Sequence, residues 1–265
     1  MIRIFVGCAS GDDIESQAVL EYTLRLHASQ PFEITWMQQS RDPSSPFHGW
    51  RTETWSTPFS GFRWAVPELC NFEGRAIYMD SDCIVMADIA ELWNQRIQPG
   101  KCVLAKGAEN WRFCVSLWGC SSARPLMMPI NLLKATPGAH QTMISQFVHS
   151  KAVLPFKGNW NCIDGEDYAD LNDPDIKVIH YSSENTQPHL LYAVPRLAKE
   201  GRDHWFDGRV ERHWRKDIEA LFDKMLSAAK AAGFDPENYQ PAQPFGSYRI
   251  ASHKNYHSHR WAKTA

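Results

Sequence analysis

The sequence predicts an α/β fold: a mostly parallel sheet flanked by helices, with a helical extension at the C-terminal end. Three observations carry this. A strand–helix–strand pattern opens the chain, an apolar strand over 75–79 runs straight into Asp80-Ser81-Asp82, and a long amphipathic pattern follows residue 190. A chain of 265 residues suits one domain with an appendage, and the change of character places the division at 1–192 and 193–265.

Each element has a local reason. Residues 2–7 alternate around β-branched and aromatic side chains and end in a polar turn, which reads as a first strand. Ala, Leu and Glu dominate 14–27, so a helix is expected there with Asp13 as its N-cap. A strand over 32–37 completes the β–α–β unit. Residues 38–60 carry Pro, Ser, Asp and Trp without a clean period and are expected to form a loop over the sheet edge or a mobile flap. A short helix follows over 62–69, with Pro67 breaking its last turn. Apolar, β-prone runs cover 83–86, 101–105, 113–120 and 176–181, and helices are expected over 125–133 and 140–149. The closing helix is expected over 204–232, where Trp205, Val210, Trp214, Ile218, Leu221, Phe222, Met225 and Leu226 recur at helical spacing. The tail from Asp235 is Pro- and aromatic-rich and then basic, with His253, His257 and His259.

Composition bounds the partners. A net charge of −2 offers no electrostatic case for nucleic acid. The seven scattered cysteines form no Cys-x-x-Cys pair, so reduced, mostly buried thiols are expected. The apolar N-terminal run is too short for a signal peptide, and no run of about 18 apolar residues occurs. A cytoplasmic protein is expected. Arg209, Arg212, Arg215 and Lys216 beside two tryptophans raise peripheral contact with the inner face of a membrane, against the preferred reading of a polar face on a packed helix. A homo-oligomer is compatible with all of this.

The chemistry centres on Asp80 and Asp82. Two aspartates directly after a buried strand cost desolvation free energy unless a partner compensates. Ligands gather at the C-terminal ends of strands in such sheets, so the partner is expected to be a ligand or cation. Asp-x-Asp on extended chain lets both carboxylates reach one hard cation, with phosphate oxygens completing the shell. The competing reading is a turn with a solvated acidic pair.

The run Phe62-Arg63-Trp64-Ala65-Val66-Pro67-Glu68-Leu69, the strand Arg75-Ala76-Ile77-Tyr78-Met79 into Asp80-Ser81-Asp82-Cys83-Ile84-Val85, and Asp88-Ile89-Ala90-Glu91-Leu92-Trp93 resemble the core of glycosyltransferase family 8. The run 18–24 resembles its first helix, and the resemblance covers about 1–192. It implies the GT-A fold, a Rossmann-like sheet that binds a nucleotide-sugar, usually a UDP-hexose, with Mn²⁺ (or Mg²⁺). It places Asp80, Asp82 and His180 on the metal. Asp80, Ser81, Arg63, the turn residues Cys8 and Ala9, Gln187 and His189 fall on the donor site. Gln141 falls beneath the anomeric carbon, and Asp167, in an acidic cluster with Asp164 and Glu166, is the second catalytic candidate. The chain departs from the family at four places. Gln187-Pro188-His189 stands where members have Lys-Pro-Trp, and Cys8-Ala9-Ser10-Gly11-Asp12-Asp13 stands for the aspartate-rich turn. A run over 115–120 replaces Phe-Asn-x-Gly, and His140-Gln141-Thr142 replaces Asp-Gln-Asp.

The resemblance implies transfer of a hexose, with retention of configuration, to a glycan, lipid-linked or protein acceptor. Two other readings compete: a nucleotide-sugar- or glycan-binding module without turnover, and a haloacid dehalogenase-type phosphatase. The latter normally carries its Asp-x-Asp on the first strand, whereas here a full β–α–β unit precedes it.

Overall fold

The computed structural model describes residues 1–52, 55–107, 111–167, 170–242 and 245; the three tail histidines lie outside the described residues. β1 (Ile2–Gly7), α1 (Ile14–His27) and β2 (Phe32–Met37) form the expected right-to-start unit, with β1 and β2 parallel and Ile4 opposite Ile34. A single 3-10 turn (Phe62–Ala65) leads into α2 (Val66–Leu69). Pro67 sits in the first turn of α2, where its missing N–H costs nothing, rather than breaking a last turn as expected. β3 (Arg75–Asp80) lies parallel to β1, with Gly7 opposite Asp80, so both strands end at one edge of the sheet. Its side chains alternate: Ala76 and Tyr78 join the aromatic core on one face, Ile77 and Met79 the aliphatic core on the other.

β4 (Cys83–Val85) leaves that sheet at once, and α3 (Ile89–Trp93) follows, capped by the Asp88 side chain. β5 (Val103–Lys106) and β6 (Arg112–Gly119) are antiparallel neighbours, followed by α4 (Cys120–Ala123), α5 (Ile130–Ala135), α6 (Ala139–His149) and β7 (Val153–Pro155). The helix expected over 125–133 is divided: a 3-10 turn ends at Leu126 and α5 begins only after Pro129. The main sheet has the order β2-β1-β3-β6-β5-β7, and only β6 runs against the rest. A second, small sheet joins β4 to β8 (Cys162–Ile163) and β9 (Val178–His180), in the order β4-β9-β8 with Cys83 opposite His180. Because β6 is reversed, its N-terminal end meets the C-terminal ends of β1 and β3, and the site is built along that edge.

Two expectations are corrected here. The 38–60 segment is no flap: Phe47, Trp50, Trp55 and Phe59 are buried in the aromatic core, edge-on to one another and to Phe62. Burial of that much aromatic surface fixes the segment, whatever its lack of regular hydrogen bonding. The helix expected over 204–232 begins only at Lys216. α7 (Leu190–Lys199) precedes it, running across residue 192, then an irregular stretch, then α8 (Lys216–Ala231). In α8, Ile218, Phe222 and Leu226 pack with Val19 of α1 and with Ile84, Ile179 and Tyr181 of the small sheet. Arg209, Arg212, Arg215 and Lys216 each lie within 4.0 Å of an acid of the same segment, Glu211, Glu219 or Asp217. No helix among the described residues is long and apolar enough to cross a membrane.

Phe222 is 2% exposed and sits at the centre of the contact between α8 and the rest of the chain. Phe222→Ala is expected to cost about 3–5 kcal/mol. Urea unfolding should show the whole transition moving to lower denaturant; a separate early transition of α8 alone would show that 193–242 is an independent unit.

Candidate active site

The C-terminal ends of β1 and β3 and the N-terminal end of β6 open into a cavity of about 720 Å³. Its walls include Arg63, Asp80, Asp82, Arg112, Cys114, His140, Gln141, Asp164, His180 and Gln187. Asp80 is buried at the end of β3 and is held from three sides. Arg63 Nη2 donates to both of its oxygens at 3.0 Å, and Tyr78 donates its hydroxyl to Oδ1 at 2.6 Å. Arg63 is itself 5% exposed, bonded to the Ser60 carbonyl at 2.7 Å and stacked 5.0 Å over the Tyr78 ring. Burial pushes the Asp80 pKa up, and Arg63 opposes this by favouring the carboxylate. Gly7 makes the arrangement possible, since a Cβ there would lie 2.2 Å from the Tyr78 oxygen. Arg63 is thus committed to Asp80; it borders the cavity as the support of a carboxylate, not as a free guanidinium.

Asp82 faces His180. The Tyr181 N–H donates to the Asp82 carbonyl at 3.0 Å, which extends the β4–β9 pairing and sets the two side chains opposite each other. His180 Nε2 lies 3.2 Å from Asp82 Oδ1, and that oxygen is buried without a hydrogen-bond partner. The other carboxylate oxygen accepts from Gln187 Nε2 at 2.7 Å. His180 Nδ1 is 2.9 Å from Asn161 Oδ1, an acceptor, so Nδ1 carries the proton. In the neutral ring Nε2 then holds a lone pair 3.2 Å from that carboxylate oxygen, without the alignment of a hydrogen bond. Two electron donors facing each other across 3.2 Å call for a positive charge between them, either a proton or a metal ion. The pKa agrees: burial lowers it, but Asp82 and then Asp80 outweigh burial, and the net shift is upward. Asn161 occupies the outer position that orients a metal-binding imidazole. His180 is shared by two groups of candidate metal ligands among the described residues, Asp80 with Cys114 and Asp82 with Cys83.

A second buried cluster, Asp13, His189 and His204, carries one carboxylate and two imidazoles and has a different chemistry. His204 Nε2 is 3.0 Å from Asp13 Oδ1, and His189 Nε2 approaches the same oxygen at 3.4 Å. Trp205 Nε1 and the Ala9 N–H also donate to this carboxylate. Burial would raise the Asp13 pKa, but hydrogen bonds from His189 and His204 overcome it and hold Asp13 below the ordinary carboxylate range. The Phe206 N–H donates to His204 Nδ1 at 3.0 Å, so Nε2 of this ring carries the proton and has no lone pair to offer. This is a hydrogen-bonded support for the turn after β1.

The expected residues are thus only partly brought together. Asp80, Asp82, His180, Arg63, Gln187 and Gln141 share the cavity, Gln141 from the first turn of α6. His189 faces Asp13 behind the turn, and Cys8 is buried with its sulfur toward Gln38. Ala9 gives its N–H to Asp13, and Ser81 gives its N–H to the Gly7 carbonyl at 3.0 Å. Asp167 is turned inward by Lys106 and by the Ile163 N–H (2.7 Å) and is absent from the cavity wall. Asp164, its neighbour in the acidic cluster, does border the cavity and accepts the Ser182 and Ser183 N–H groups at 2.5 and 3.1 Å. Sequence reading missed Tyr78, Asn161, Cys114 and His140. Trp64 Nε1 donates to His140 Nδ1 at 2.9 Å, and burial with Arg63 pushes this histidine down to about 3, so it presents a neutral N–H.

No family model matches the chain. It is 26% identical over 203 residues to Protein CDI of Arabidopsis thaliana, covering 68% of this chain and 77% of that protein. Among solved structures, the galactosyltransferase LgtC in complex with donor and acceptor sugar analogs superposes with a TM-score of 0.54 at 10% identity, over 86% of this chain and 96% of LgtC. The bifunctional glycosyltransferase WbbM superposes with a TM-score of 0.53 at 14% identity; 71% of this chain is covered, and it spans 46% of WbbM. The fold is that of the GT-A glycosyltransferases.

Removing Arg63 leaves the Asp80 carboxylate buried beside one hydroxyl. Arg63→Ala is expected to lower the stability of the metal-free protein by about 3–5 kcal/mol, measured by urea unfolding. A loss below about 1 kcal/mol, the range of exposed pairs, would mean that Asp80 is solvated and the pair is not what holds it.

Proposed function

We propose that this protein is a metal-dependent glycosyltransferase of the family 8 type, moving a hexose from a nucleotide-sugar, a UDP-sugar by preference, to an acceptor hydroxyl. The observation that carries the reading is the orphan Asp82 oxygen facing the His180 lone pair beside Asp80, at the strand ends where this fold leaves its cavity. The GT-A architecture supports it, since LgtC and WbbM share the fold and are glycosyltransferases.

A divalent cation at these residues neutralises the charge that develops on a departing diphosphate. The chain's own groups orient and stabilise the rest. Asp80 is locked by Arg63 and Tyr78, so its free lone pairs point one way only. Asp82 is fixed by Gln187, which stands where family members carry a lysine. Gln141 reaches the cavity from α6, and an active-site glutamine-to-glutamate mutant of LgtC offers a parallel for its place near the reacting carbon. His140, neutral and a donor, suits a sugar or phosphate oxygen and not proton transfer. Retention follows if the acceptor oxygen attacks C1 on the face that the diphosphate leaves. The C1–O bond to phosphate breaks, the new C1–O bond forms, and the leaving phosphate oxygen takes the acceptor proton. No enzymic base is then required. Asp164, and not Asp167, is the acid of its cluster placed to meet a substrate hydroxyl. The acceptor is a carbohydrate, lipid-linked or protein hydroxyl, and the cation is Mn²⁺ or Mg²⁺ in the family's usage.

The test is release of UDP from a panel of UDP-hexoses with Mn²⁺. Release is expected with at least one donor, and Asp82→Ala should abolish it. Saturable donor binding with no release from any donor would instead give the binding module without turnover. Activity that survives Asp82→Ala would remove the metal site. Asn161→Ala frees the His180 ring and is expected to weaken Mn²⁺ binding by on the order of 10–100-fold, read as tryptophan quenching in a metal titration. An unchanged affinity would show that the Asn161 contact does not set the tautomer.

A further inference from the structure

The cavity contains a sulfur atom that the reading above leaves unused. Cys114 lies near the start of β6, the strand antiparallel to β3, one position from the Val115 that pairs with Met79. The antiparallel register therefore carries Cys114 alongside Asp80. Its Sγ, a carboxylate oxygen of Asp80 and a ring nitrogen of His180 all lie within 4.8 Å of one another. Metal–sulfur bonds of about 2.3 Å and metal–nitrogen bonds of about 2.0–2.1 Å put two ligands of one tetrahedral ion about 3.6 Å apart, so a group lying within 4.8 Å closes on an ion by a small inward shift of its side chains. Cys114 also borders the cavity, and it is the only one of the seven cysteines that is not buried. The unpartnered Asp82 oxygen lies 3.2 Å from Nε2 of the same imidazole.

We propose that Cys114 is a ligand, with Asp80 and His180, of the cation at this edge, and that the site is thiophilic, favouring a zinc- or cobalt-class ion over a magnesium-class one. The inference rests on the cation site proposed above and concerns which ion it takes. Charge supports it: two carboxylates and a thiolate are balanced by a divalent cation and the buried Arg63. Ligand softness supports it too, since a thiolate selects zinc-type ions where an all-oxygen shell suits magnesium or manganese. On binding, the metal–sulfur bond forms as the thiol proton passes to the buffer. Cys83 is the rival sulfur, within 4.8 Å of Asp82 and His180, but it is 2% exposed and belongs to the aliphatic core of Ile77 and Met79.

Cobalt makes the test spectroscopic and independent of any sugar. Metal-free full-length protein titrated with Co²⁺ should develop a saturable near-ultraviolet sulfur-to-cobalt charge-transfer band. Cys114→Ser should lose the band and bind Co²⁺ more weakly, on the order of ten-fold or more, whereas Cys83→Ser should keep it. Cys114→Ala serves the same purpose should the serine variant fail to fold, judged by circular dichroism and thermal unfolding. No band in the wild type, or a band that persists without Cys114, overturns the proposal. Saturable Mn²⁺ binding with UDP but no cobalt–sulfur band leaves the transferase site standing and removes only the thiol ligand. Binding of neither ion removes both.

Discussion

Everything at the working edge of this protein follows from placing two carboxylates at the end of a buried strand. Water cannot reach Asp80 well enough to solvate it, so the chain supplies Arg63 and Tyr78. Arg63 can arrive because a 3-10 turn and α2 lie beside β1 and β3, and that turn is fixed by the aromatic packing of Phe47, Trp50, Trp55 and Phe62. Tyr78 reaches Asp80 because position 7 of the neighbouring strand has no side chain. Asp82 is handled differently. The chain turns after Ser81 into a second sheet, whose pairing of Cys83 with His180 delivers an imidazole to the remaining carboxylate. One carboxylate is neutralised within the protein, and the other is left incomplete. That asymmetry, not the presence of two aspartates, makes the edge a site.

The same principle separates the two histidine–aspartate clusters. By composition Asp13 with two histidines is the better metal centre, and it is the more deeply buried. Its His204 ring, however, is wired the other way. A backbone N–H on His204 Nδ1 forces the proton onto Nε2, where it serves Asp13. A side-chain oxygen on His180 Nδ1 leaves Nε2 free. The atom one bond beyond each ring decides whether the ring donates a proton or a lone pair. The pKa shifts fit this division. Burial keeps His204 below its ordinary value despite Asp13, while the carboxylates lift His180 above its own.

What was legible in the sequence was what local periodicity encodes. β1, α1, β2 and β3 have strong patterns, and the polar break after Met79 marks the strand end without any tertiary information. The metal trio and Arg63 were reached through a family resemblance, because no spacing rule connects residue 63 or residue 180 to residue 80. Tyr78, two residues before Asp80 on the same strand face, was readable from the strand period and was overlooked, whereas Asn161 and Cys114 escaped for a physical reason. Their roles come from register, with β6 reversed beside β3 and the residue before β8 set behind β9, and register is written in no single stretch of chain. Asp167 was misplaced on similar grounds. Its carboxylate looked free in an acidic run, but Lys106 from a distant strand turns it inward.

The stretch after residue 200 shows the opposite error, a periodic signal that the fold overrides. Trp205, Val210 and Trp214 keep helical spacing, yet the backbone there is irregular. Asp12 and Asp13 would be two adjacent buried carboxylates without it. Burial and Asp13 already push Asp12 up to about 8, even with Arg202 and the Trp205 N–H favouring its charged form. A helix over 204–215 would set successive side chains about 100° apart around its axis and could not direct the Trp205 N–H, the Trp205 indole and the His204 ring together onto the turn after β1. The loss of a few helical hydrogen bonds, each worth about 0.5–1.5 kcal/mol net, is outweighed by the cost of leaving buried carboxylates unpaired. The C-terminal segment thus completes the Cys8–Asp13 turn from behind, and the geometry of that turn depends on residues almost two hundred positions away.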